Sequence, residues 1–144
     1  MSARRRTSLL AWLGLLAFSL NLAWELAQAP LYTGGSMDGK HFALCLVAAL
    51  GDALFALILY ALLALVHRDP CWVLRRGPAD AVVVLGTGIA FAWVAESLAG
   101  ALGWWAYGPG MPLVLGVGLL PLVQLAVLSL LTFELVGVRA RHGG

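Results

Sequence analysis

Four apolar runs, at 9–29, 42–66, 81–102 and 113–137, constrain this chain more than any other feature. At about 1.5 Å of rise per helical residue, each can cross about 30 Å of hydrocarbon. Lipid offers no hydrogen bonds to the backbone, and a helix satisfies its own. The runs therefore predict an all-α, integral membrane four-helix bundle, a single transmembrane domain over residues 1–144. Composition agrees, because 62% of residues are hydrophobic and 11% charged. A soluble domain carries about 25% charged residues, and one of this size could not hide so much apolar surface.

The basic residues predict an orientation. Arg4, Arg5 and Arg6 precede the first run, Arg68, Arg75 and Arg76 lie between the second and third, and Arg139 and Arg141 follow the fourth. Of nine Lys and Arg residues, only Lys40 lies on the other side. Cytoplasmic loops collect such residues, so both termini are expected in the cytoplasm. The net charge of +2 is read as this topology signal, with no nucleic-acid partner, since the arginines are scattered over three ends. Arg4-Arg5-Arg6, an apolar stretch and Ala27-Gln28-Ala29 imitate a cleavable signal peptide. The long run, Trp24 and Glu25 before the small residues, and Pro30 after them favour a retained helix. Cys45 and Cys71 are expected at opposite faces of the membrane, too far apart to pair.

Polar residues interrupt the runs in a pattern. Asn21, Glu25 and Gln28 share one face of the first helix, at i, i+4 and i+7. His41, Cys45 and Asp52 share a face of the second, where Gly51 would let a neighbouring backbone come close. On the third, which Asp80 is expected to cap, the spacing Ala92, Glu96, Gly100 predicts a small-residue seam containing a carboxylate. On the fourth, Gly116 and Gly118 are placed near the start, and Pro121 is expected to kink the helix one turn before Gln124. Counted from the cytoplasmic side, Glu25 is about 24 Å up and Glu96 about 23 Å up. Asp52 and Gln124 are each about 15–17 Å down from the other face. All four helices thus offer a polar group in one layer.

An acidic residue inside a membrane costs roughly 2.5–3.5 kcal/mol on insertion scales and marks a functional site by default. Interhelical hydrogen bonding alone, at about 0.6–2 kcal/mol per group, is the plainer account. Asn, Ser or Thr would serve that purpose at lower cost than Glu25, Asp52 and Glu96, which have no basic residue at their depth. A neutral carboxylic acid beside an ionised one is an acid–base pair. In an apolar pocket it suits isomerisation, hydration or cyclisation of a lipid or isoprenoid. Glu25, Asp52 and Glu96 are the candidate proton donor and acceptor, and Asn21, Gln28 and Gln124 would orient them or a substrate hydroxyl. Trp24, Trp93, Trp105 and Tyr107 would line the pocket, and the tryptophans, Trp104 included, would stabilise a developing cation. Trp104, Trp105 and Tyr107 also suit an aromatic belt at the membrane surface, as Trp72 does between the second and third runs. Glu134, near Arg139, is expected to be an interfacial paired charge. No metal or organic cofactor is expected.

Two other classes stay open. A proton-coupled transporter of amphiphilic cations would use a buried Glu but would need a homodimer. In size, helix count and a glutamate in helix 1 the chain resembles small multidrug resistance transporters, whose glutamate lies earlier in that helix than Glu25. A non-catalytic assembly subunit is the third class, with a larger membrane protein as its partner.

The motifs Asn21-Leu-x-Trp24-Glu25-x-x-Gln28-x-Pro30-Leu-Tyr32, Gly51-Asp52, Trp105-x-Tyr107, Met111-Pro112 and Pro121-Leu-x-Gln124 resemble a group of small bacterial four-span membrane proteins. Trp105-Ala-Tyr107 and Gly118-Leu-Leu-Pro121-Leu-Val-Gln124 are also similar in order to the membrane-embedded lycopene cyclase domain. That resemblance implies an isoprenoid substrate. The acidic pair of that family is replaced here by Val123 and Gln124, which leaves Glu96 or Asp52 as proton donor.

Overall fold

A computed structural model describes residues 3–34 and 39–142, with side chains from 7–34 and 39–141. The side chains of Arg4, Arg5 and Arg6 lie outside the described residues. Four helices dominate: α1 Ala3–Gln28, α2 Gly39–Val66, α3 Pro78–Ala101 and α4 Leu119–His142. All four are long and apolar enough to cross a membrane.

The ends of these helices follow local chemistry. Pro30 stops α1, which runs into one tight turn at Ala29–Leu31. Asp80 is not the N-cap of α3 as expected. Gly77 occupies that position, Pro78 follows it, and the Asp80 carboxylate reaches back to accept the Gly77 N–H at 2.8 Å. Helix α4 starts six residues later than the apolar run, because 113–118 form a hairpin instead. Strand β1, Leu113–Val114, pairs antiparallel with β2, Val117–Gly118. The turn between them has φ of 50° at Leu115 and 82° at Gly116, the left-handed pair that two-residue hairpins favour. Pro121 therefore falls in the first turn of α4, where its missing N–H has no intrahelical role, and the expected kink has no cause.

Helix α4 is central, with α1 on one side and α3 on the other, and α2 packs on α1. The tightest crossing is Gly88 against Ala126, where a Cβ on Gly88 would come within 2.5 Å of the Ala126 Cα. The close seam of α3 is thus Gly88 and Ala92, both buried, whereas Gly100 faces open space. Gly51 also faces open space, contrary to the sequence reading, and the small-residue contact of α2 runs through Ala53 and Ala56 against Ala17. Helices α2 and α3 barely touch, and the Phe55 and Phe91 rings, 4.8 Å apart, bridge them.

The main apolar core lies toward the end of the bundle that carries residues 67–77, here the arginine end. Trp72 is only 2% exposed and wedges between Tyr60 and Phe133, with ring centroids 5.9 and 5.4 Å away. Its indole N–H donates to the Tyr60 carbonyl, and the Tyr60 hydroxyl donates to the Pro70 carbonyl. The expected surface anchor is thus an internal wedge. Glu134 is paired, but with Arg76 rather than Arg139, whose guanidinium lies 3.8 Å over the Trp12 ring.

Candidate functional site

At the opposite end, polar side chains from α1 and α2 converge on Gln124 of α4. Asn21, Gln28 and Gln124 are each at most 3% exposed, so their amides need partners inside the protein. The Asn21 amide donates to the Ala17 carbonyl one turn back, at 2.8 Å. The Trp24 indole donates to Gln28 Oε1 at 3.1 Å, and Gln28 Nε2 donates to Gln124 Oε1 at 2.9 Å. Gln124 Nε2 then faces three acceptors: Glu25 Oε1 and Asp52 Oδ2 at 2.9 Å each, and Asn21 Oδ1 at 3.2 Å. The i, i+4, i+7 stripe of α1 points at α4, and Asp52 of α2 reaches the same amide. Cys45, on the same face of α2, lies 3.9 Å from the Glu25 carbonyl.

Glu96 of α3 belongs to a neighbouring node. Its Oε2 accepts from the Trp105 indole at 3.2 Å and the Tyr107 hydroxyl at 2.5 Å. It lies within electrostatic range of Glu25 and Asp52 without a hydrogen bond to either. The candidate layer is therefore two adjacent clusters. Among the described residues no ion pair joins these three carboxyls to a basic side chain.

The tryptophans divide. Trp24 and Trp105 donate to the clusters, whereas Trp104 is 64% exposed. Trp93 is 42% exposed and is tied to the Leu115 carbonyl at 3.3 Å. Trp93 therefore stands outside the constellation expected to line a pocket.

Tyr32 is the residue that the sequence reading left out of the site. It lies where the first and second loops are stitched together. Thr33 N–H donates to Ala106 O and Gly108 N–H to Leu31 O, each at 2.8 Å, and Tyr32 and Tyr107 form a backbone bridge. The Tyr32 ring sits 5.6 Å from that of Tyr107 and edge-on to that of Trp105 at 6.4 Å. Burial first, then the charges of Glu96, Glu25, Tyr107 and Asp52, push its phenol well above the usual range. Burial and the hydrogen bond to Glu96 push Tyr107 up to about 12. The signal for Tyr32 was present in the Pro30-Leu31-Tyr32 ending of α1. Its neighbours, however, come from 75 residues away in the chain, and no periodicity links them.

No family model, curated protein or solved structure matches this chain.

Proposed function

We propose that this protein is an intramembrane acid–base enzyme acting on a lipid or isoprenoid, in isomerisation, hydration or cyclisation chemistry. In this reading the four helices span a bacterial cytoplasmic membrane with both termini inside, and the carboxyl clusters lie in the outer half. The observation that carries the reading is the surroundings of Gln124 Nε2. Three acceptor oxygens compete for an amide with two hydrogens, and two of those oxygens are carboxyl groups. A proton held on Glu25 or Asp52 supplies the missing hydrogen, which makes that pair the acid. Glu96, which receives two donors on one oxygen, suits the base.

The step follows from those roles. The acid's O–H proton adds to one carbon of a C=C bond, leaving a carboxylate and a carbocation. Glu96 removes a proton from the carbon next to the cation, and the double bond reforms one position along. The proton then returns from Glu96 to the acid through the site or solvent. Trp24 and Trp105 present aromatic rings at the two clusters, where they can stabilise the cation. The loose seam between α2 and α3, bridged by Phe55 and Phe91, gives an apolar chain a sideways approach from lipid.

The test uses proteoliposomes made with isoprenoid and polar-lipid extracts in heavy water. Protonation at carbon places solvent deuterium in the turned-over lipid. Wild type should label one lipid species, and Asp52→Asn and Glu96→Gln should not. Absence of labelling together with proton-driven uptake of a cationic dye would replace the enzyme reading with transport.

A further inference from the structure

The arginine end contains a second polar site unconnected with the carboxyl clusters. An open cavity of about 460 Å³ is lined by His67, Arg68, Asp69, Trp72 and Arg75. Two of its lining side chains are held by carboxylates. The His67 ring stacks on Trp72 with 10° between planes, and its Nε2 lies 2.7 Å from Asp80. Asp69 binds the Cys71 N–H through one oxygen and Arg75 through the other, at 2.8 and 2.7 Å. Asp69 and Asp80 thus position Arg75 and His67, while Arg68 stands exposed with no carboxylate of the cavity bound to it.

The backbone at Arg68 is the telling feature. The end of α2 closes with Arg68 N–H on Leu65 O and Asp69 N–H on Ala64 O, at 3.1 and 3.0 Å. This is the helix-ending motif whose left-handed residue is ordinarily glycine. Here an arginine occupies it, at φ 51°. Glycine would fill that position at the lowest conformational cost, and Arg68 holds it against that local preference. Its side chain lines the cavity beside a second arginine and a histidine. Fork-shaped, permanently charged donors of this kind suit phosphate oxygens.

We infer that the His67–Arg75 cavity is a binding site for a phosphate group. If the chain spans a membrane as proposed, the cavity lies at the boundary where basic pockets between helices meet anionic lipid headgroups. The same chemistry would also accept soluble phosphate, and the two sources are separable.

The experiment places the full chain in phosphatidylcholine nanodiscs and follows retention of added phosphatidylglycerol by native mass spectrometry. Arg68→Gly relieves the left-handed strain, so its thermal stability should match or exceed that of wild type. Its phosphatidylglycerol retention should fall about fivefold, the loss expected for one basic residue at an anionic lipid surface. Arg75→Gln should fall similarly, and Arg141→Gln, outside the cavity, should change by less than about twofold. Competition by millimolar inorganic phosphate would identify soluble phosphate as a ligand, and its failure to compete would identify the lipid headgroup. Equal retention by Arg68→Gly and wild type, or equal loss in Arg141→Gln, would overturn the site. Neither result depends on the carboxyl clusters.

Discussion

The two ends of the bundle treat their acidic residues in opposite ways. At the arginine end Asp69, Asp80 and Glu134 each meet a basic partner, in Arg75, His67 and Arg76. At the other end Glu25, Asp52 and Glu96 meet, among the described residues, neutral donors: the Gln124 amide, an indole and a phenol. The first arrangement fastens loops to helices and sits near water. The second crowds like charges where the surroundings are apolar and leaves one hydrogen too few among the acceptors. A fold needs the first kind of contact. The second kind is costly to a fold, and the proton chemistry proposed above would give it a use.

That contrast can be broken by measuring equilibrium unfolding in mixed micelles. Trp72→Ala should have the largest effect, a loss of about 3–5 kcal/mol, because a large buried ring leaves a void. It should leave deuterium labelling by the folded protein intact. Gln124→Leu should lose about 1–3 kcal/mol, since it strips a shared donor from buried acceptors, and it should abolish labelling. Asp52→Asn should instead gain about 1 kcal/mol, at the low end for replacing a buried charge by a neutral group, while labelling disappears. Glu134→Gln should lose less than about 1 kcal/mol, as befits a partner that is 45% exposed, and the loss should shrink in high salt. The matched acid-to-amide changes thus carry opposite signs at the two ends. A loss of stability in Asp52→Asn would show that its carboxylate is structural and would remove the contrast.

Much of this architecture could be read from the chain. Uninterrupted apolar length marks a spanning-length helix, so four were legible, and Pro30 marked where α1 stops. The i, i+4, i+7 spacing of Asn21, Glu25 and Gln28 placed them on one face, and that face meets Gln124. What sequence could not supply was pairing between elements. Val114 and Val117 sit in an apolar run that reads as helix. The left-handed turn at Leu115–Gly116 makes it a hairpin. Small residues were legible as seams but not which ones: Gly88 is the close crossing, and Gly51 and Gly100 are not. Depth counting put Glu96 level with Glu25, yet it could not show that Trp105 and Tyr107 from the following loop would claim it. Trp72 looked like a surface anchor because hydropathy alone does not distinguish a ring facing lipid from one facing Phe133.

The helix that organises the assembly is the last of the four to be synthesised. Until Leu119 onward emerges, α1 and α2 carry Glu25 and Asp52 without the amide that receives them, and α3 lacks the backbone against which Gly88 closes. Docking of α4 is thus what brings α1 and α3 onto a common core and gathers the polar groups around Gln124.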